Sequence, residues 1–285
     1  MRFGLISFLG LVLLGVAGCT TASSNREPMG QFFNGAASSN QIVPMGQELA
    51  SHVPDPASTI FMLYNHGTNW GGHFQDCEPD SMPDFLQFWA YRGIADHNVV
   101  VFYLCTQEVE DRAAIGKARS IENEGVLDRL LAAGIPRQNI FVVGHSGGAS
   151  TALLTAERAP EKFNSAIASA PGYGFAWLEA EGEGSNYLDI EYSKWRTELV
   201  TADDMSAFVF AYEGDLYSPP HQATFLRSLP KVEFVTIHDE NGDGELCRGL
   251  DEPHFFWWTQ CFVDQNLGDL ETFVIDRLND RQWDL

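Results

Sequence analysis

An α/β fold, a mostly parallel β-sheet flanked by helices, is what the hydrophobic pattern of this chain predicts. Six short apolar runs, several of them continuous rather than alternating, read as strands buried on both faces. Segments with helical spacing lie between these runs, and one of them closes on Gly134 and Pro136, a helix stop. Strands alternating with helices make βαβ units, so a site is expected beyond the carboxyl ends of the strands.

The elements follow in chain order. Arg2 opens a short basic start, residues 5–16 are almost wholly apolar, and the run ends in Val16-Ala17-Gly18-Cys19. This is a signal peptide over residues 1–18, too short to count as a spanning helix. Its ending resembles the bacterial lipobox, which implies that Cys19 is lipidated and becomes the first residue; an ordinary secretory signal is the alternative. Lipid anchors tether a protein to a membrane without spanning it. Thr20, where a retention aspartate is absent, implies by the same resemblance the cell envelope, at the outer membrane or its periplasmic face.

Residues 19–55, rich in Ser, Asn, Gly, Ala and Pro, read as a flexible tether, part of which can lie as an extra strand. Residues 56–285 hold the folded domain. Strands are expected at 60–64, 99–104, 140–143, 166–168, 208–212 and 232–237. Helices are expected at 111–133, where Leu127, Leu130 and Leu131 share a face, at 149–158, at 220–229, and at 255–280 in two pieces. No internal repeat is evident.

At 285 residues the chain holds one large α/β domain with extras, or two domains. Thirty-nine acids against 17 bases leave a net charge of −22. Such a surface repels phosphate backbones and anionic lipid, which argues against a nucleic-acid partner. With Cys19 lipidated, Cys77, Cys105, Cys247 and Cys261 remain, an even number suited to disulfides in an oxidising compartment. Three pairings are open; we favour Cys77 with Cys105 and Cys247 with Cys261. No C-x-x-C pair suggests zinc or redox chemistry.

One motif carries most of the functional inference. The apolar run 140–143 is followed by Gly144-His145-Ser146-Gly147-Gly148 and then a helical segment, the strand-turn-helix setting that G-x-S-x-G requires. A serine on so sharp a turn exposes its hydroxyl, and glycine fills the flanking places because side chains there would collide. Here the sequence resembles the α/β-hydrolase superfamily over roughly residues 58–285. The resemblance implies Ser146 as nucleophile and Gly147 N–H as an oxyanion donor. It also implies a second donor, Thr68 N–H, in Tyr64-Asn65-His66-Gly67-Thr68, with His66 bracing the loop.

The superfamily order serine, acid, histidine implies the other two members. Glu213-Gly214-Asp215-Leu216-Tyr217-Ser218-Pro219-Pro220 is similar to its acid loop with one residue fewer, so Asp215 is the expected acid, with Glu213 and Asp239 in reserve. His254 lies where the superfamily keeps its base, ahead of the last helices; His221 and His238 are the other histidines downstream. The Cys247 to Cys261 bond would close a loop around His254.

Asp239-Glu240-Asn241-Gly242-Asp243-Gly244 matches the start of a calcium loop, but Leu250 stands where a bidentate glutamate is wanted. We read it as an acidic surface turn, with Asp239, Asn241 and Asp243 as ligands of a structural ion in the alternative. Residues 173–204 fall where these enzymes insert a small cap, between the sixth and seventh strands. Trp70, Tyr173 and Trp177 are the candidates to line a substrate pocket. The implied activity is serine hydrolysis of a small carboxylic ester through an acyl-enzyme, with no cofactor. A peptidase of the same fold and a non-catalytic binding lipoprotein are the alternatives. Oligomeric state is not legible.

Overall fold

The computed structural model describes residues 27–35, 38–39, 41–67, 82–106, 115–172, 186–239 and 246–280. Among them eight strands form one sheet: β1 Met29–Phe33, β2 Val43–Pro44, β3 Thr59–Asn65, β4 Asn98–Cys105, β5 Ile140–His145, β6 Ser165–Ser169, β7 Ala207–Tyr212 and β8 Val232–Ile237. The strand order is β2-β1-β4-β3-β5-β6-β7-β8. Strands β3 to β8 pair in parallel, while β1 runs antiparallel to both β2 and β4. Six helices of eight or more residues accompany them: α1 Met45–His52, α2 Asp84–Arg92, α3 Ile115–Ala132, α4 Gly147–Arg158, α5 Asn186–Leu199 and α6 Gln260–Leu278.

Successive strand residues point to opposite faces, and here both faces are dry. Phe61 and Leu63 of β3 join Phe102, Val142, Ala166 and Val209 under α1, α3, α4 and α5. Their neighbours Ile60, Met62 and Tyr64 join Tyr103, Phe141, Ile167 and Phe210 under α2 and α6. This double burial is why the six apolar runs do not alternate. Each fully buried Leu, Ile or Phe contributes about 1.5–3 kcal/mol by leaving water.

The register aligns the carboxyl ends that matter. Asn65 pairs with both Leu104 and Gly144, His145 with Ser169, and Tyr212 with Ile237, so loops after β3, β5 and β7 leave the same rim.

One expectation is corrected. Residues 29–52, given to the flexible tether, hold β1, β2 and α1 and belong to the domain. Phe32 is fully buried between the rings of His52, stacked at 4.4 Å, and Phe102 at 4.6 Å. Gly30 crosses Phe102 so closely that a Cβ would lie 2.4 Å from its ring. Of the expected cap, residues 173–204, only 186–204 are described, and there α5 packs as a crossover helix. Its Trp195 and Leu199 are buried on the sheet with Met205, and Trp195 meets Phe225 edge-on. The helix expected from 111 begins at Ile115 among the described residues, and that expected over 220–229 divides into a turn of α-helix at Pro220–Ala223 and a 3-10 turn at Thr224–Ser228.

No helix of the described residues is long and apolar enough to cross a membrane. The signal peptide and Cys19 lie outside the described residues.

Candidate active site

Strand β5 delivers its chain into a tight elbow. Ser146 has φ 53° and ψ −120°, a left-handed conformation costly for a residue with a side chain, of order 1–3 kcal/mol. The turn is held by Ser146 N–H donating to Ser169 O at 2.9 Å and by Ser150 N–H donating to Ser146 O at 3.1 Å. The two outer glycines are required by contact: a Cβ on Gly144 would sit 2.1 Å from Gly148 O, and one on Gly148 would sit 2.0 Å from Asn65 O. Gly147 opens α4, so its N–H belongs to the first turn, which lacks intrahelical acceptors and carries the positive end of the helix dipole.

Asp215 and His254 are brought together from loops 39 residues apart: His254 Nδ1–H donates to Asp215 Oδ2 at 2.8 Å, with both side chains buried. The other carboxylate oxygen, Oδ1, accepts from Tyr217 N–H at 2.8 Å and Ser218 N–H at 2.9 Å. This turn fixes the carboxylate through contacts separate from the imidazole. Ser218 in turn donates its hydroxyl to Pro171 O at 2.5 Å, tying the acid loop to the end of β6. The reserve acids are occupied elsewhere: Glu213 Oε2 accepts from His238 Nδ1 and from Asp239 N–H, each at 3.1 Å, in a largely exposed pair. His221 is exposed.

Ser146 meets this pair through its chain neighbour. His145 Nε2–H donates to the His254 carbonyl at 2.8 Å, and the two imidazoles pack with centroids 4.6 Å apart. No hydrogen bond joins the Ser146 hydroxyl to His254 among the described residues. Catalytic hydrogen bonds often tighten only with substrate bound. Burial, then the neighbouring His254, holds His145 well below the usual imidazole pKa, so it stays neutral and braces the histidine loop against the elbow. Trp258 packs edge-on to it at 4.4 Å. His145 was legible only as the free position of the motif, and its role was missed.

The loop after β3 lies against the elbow. A Cβ on Gly67 would be 3.4 Å from Ser146 Cβ. His66 is buried and its Nδ1–H donates to Gly67 O at 2.6 Å. Burial, and next the charge of Arg119, drives its pKa down to about 3. Arg119, on α3, is itself buried, donating from Nη2 to His66 O at 2.8 Å. Thr68, Trp70, Tyr173 and Trp177 lie outside the described residues.

The Cys247–Cys261 disulfide is present with Cα atoms 6.0 Å apart, enclosing His254 as expected. Cys105 is also disulfide-bonded, while Cys77 lies outside the described residues. Of the acidic loop only Asp239 is described, Asn241 and Asp243 lying outside. Among the described residues no group of three His, Cys, Asp or Glu side chains is placed to hold a metal ion.

No protein-family model matches the chain, and no curated protein matches it significantly. Solved structures do resemble it. DcsB in complex with its substrate analogue aligns over 79% of this chain and 92% of its own, at 9% identity and a TM-score of 0.53. A puromycin-hydrolyzing peptidase of Mycobacterium tuberculosis aligns over 76% of this chain at 16% identity and a TM-score of 0.50, and the chain spans only 34% of that protein. At such identities the likeness is one of fold. With a mostly parallel eight-stranded sheet and a strained serine elbow after β5, the chain has the α/β-hydrolase fold.

Proposed function

We propose that the protein is a serine hydrolase that cleaves a small carboxylic ester through an acyl-enzyme. The observation that carries this reading is the buried Asp215–His254 hydrogen bond, whose imidazole packs on the residue that precedes the strained Ser146. A serine hydroxyl is a poor nucleophile until a base takes its proton, and the base needs an acid to fix its tautomer. With Nδ1–H committed to Asp215, the Nε2 edge of His254 is the one left to take a proton.

Ser146 Oγ attacks the ester carbonyl while His254 accepts its proton, and Asp215 stabilises the imidazolium. The Gly147 N–H receives the developing oxyanion, with Thr68 N–H as second donor. The imidazolium then gives its proton to the leaving alkoxide, the alcohol departs, and water cleaves the acyl-enzyme by the same route. Leu216 and Phe255, next to the acid and the histidine in the chain, are 67% and 48% exposed, an apolar rim suited to the hydrocarbon part of an ester.

Within the same reading, Cys19 carries the lipid that holds the domain at the cell envelope. Amide hydrolysis uses the same groups, and the structural likeness to a peptidase makes it the second reading. A fluorophosphonate probe tests the first step: the wild-type full chain should label and Ser146→Ala should not. Folded wild type that stays unlabelled means a binding protein. Faster turnover of aminoacyl anilides than of short p-nitrophenyl esters would replace esterase by peptidase.

A further inference from the structure

Arg119 occupies a core-facing place on α3. It stands on the stripe of Asn123, Val126, Leu127 and Leu130, all buried, and is itself 1% exposed. A guanidinium in such a place loses its hydration, a loss that burial normally requires an ion pair to offset. Among the described residues it pairs with no carboxylate. Its hydrogen bond there is the one from Nη2 to His66 O at 2.8 Å, and its Nε–H is buried without a partner. The Nε2 of His66, in the same loop, is likewise buried without a partner. For stability alone an apolar residue of similar volume would serve this position as well or better.

Its placement gives the burial a use. His66 O and the Gly67 N–H belong to one planar peptide, so a guanidinium holding the carbonyl on the α3 side turns the N–H to the other side. The next residue, Gly67, lies against Ser146. The positive charge is therefore fixed behind the loop that faces the nucleophile, in a protein whose net charge of −22 otherwise opposes negative charge in the site. A charge already oriented in a dry setting costs no reorganisation when the oxyanion forms. Burial lowers the Arg119 pKa only to about 10, with Glu122, Tyr103 and Tyr64 opposing the fall, so it remains charged at neutral pH.

We propose that Arg119 is the positioning residue of the oxyanion loop, holding the His66 carbonyl and presenting a fixed cation behind the point where negative charge develops. This rests on the serine-hydrolase reading, and the test separates the two. The full chain and its Arg119→Met, Arg119→Gln and Arg119→Lys variants are compared for kcat and KM on p-nitrophenyl acetate, for the rate of fluorophosphonate labelling, and for melting temperature. The folded neutral variants should lose about a hundredfold in kcat and in labelling rate with KM within about threefold, and lysine, which keeps charge and one donor, should lose only about tenfold. Wild-type kcat in a folded neutral variant overturns the proposal, as does an equal loss in lysine and methionine. If only the lysine variant folds, its own kcat decides: a tenfold loss at unchanged KM supports the role, and wild-type kcat assigns Arg119 to folding alone. A wild type that neither turns over nor labels defeats the serine-hydrolase reading instead.

Discussion

Acid should weaken this fold through His66, and the size of the effect follows from how the ring is held. Its Nδ1–H is committed to Gly67 O, its Nε2 is buried without a partner, and its pKa falls from 6.5 to about 3, first through burial and then through Arg119. Protonating the folded state would place a second cation beside the guanidinium. The unfolded chain has no such obstacle and takes up its proton as the pH falls below 6.5. The stability is thus complete above 6.5 and drains away between 6.5 and 3, at up to about 1.4 kcal/mol per pH unit. Between pH 7 and 5 this one ring removes about 2 kcal/mol, a large share of a stability of roughly 5–15 kcal/mol. His145, also held neutral by burial, adds a loss of the same sign. The variant His66→Asn keeps a donor toward Gly67 O and cannot titrate. Urea unfolding of the oxidised full chain at pH 7, 6 and 5 gives the comparison. The stability advantage of wild type over the variant should shrink by about 2 kcal/mol from pH 7 to pH 5. Parallel loss in the two proteins would show that the buried ring does take a proton, and the reasoning would be wrong.

Three further outcomes are expected. Asp215→Asn should keep the fold, because the Oδ1 contacts to Tyr217 and Ser218 can persist, yet lower kcat by about 10⁴ as His254 loses its tautomer; steady-state kinetics decide it. Gly148→Ala places a methyl 2.0 Å from Asn65 O, which should cost about 1–3 kcal/mol and disturb the elbow, read as a fall in melting temperature together with the rate of fluorophosphonate labelling. Cys247→Ser with Cys261→Ser opens a loop closed over a separation of 14 residues, expected to cost about 3 kcal/mol and to slow turnover more than it raises KM, since His254 lies within that loop. An unchanged denaturation midpoint would refute the disulfide's share.

The strands were legible because both faces of the sheet are dry. A run such as Ile60-Phe61-Met62-Leu63-Tyr64 can then hardly be anything but a buried strand. The elbow was legible for a steric reason, since two glycines flanking a serine at this spacing record the close approach of the β3 loop. Strand β1 was obscured: Gly30 and Gln31 dilute its apolar character, and its partner β4 lies about seventy residues further on, so only tertiary pairing reveals it. The place of residues 173–204 between two strands suggested a cap, and nothing in the sequence marks that Trp195 within it is buried in the core, because one helical stripe carries no mark of which surface it covers. Arg119 looks in sequence like any solvated cation on a helix. Only its register with Asn123 and Leu127 places it inside, and periodicity counted on apolar residues passes over it. His145 escaped notice because a motif written with a free position says nothing about what fills it.

The antiparallel strand β1, one place in from the sheet's edge, also shortens the proposed leash. Glu27 already docks on the domain, accepting from Gly46 N–H and from Arg129. With the lipid on Cys19 proposed above, only the eight links from residue 19 to residue 27 would remain between it and a fixed point on the domain. At full stretch they reach about 28 Å, less than the thickness of a bilayer's hydrocarbon core. A domain held so short could not sample distant solvent. Under the proposed anchoring it would work within a few nanometres of the headgroups, and its substrate would be met at the membrane surface.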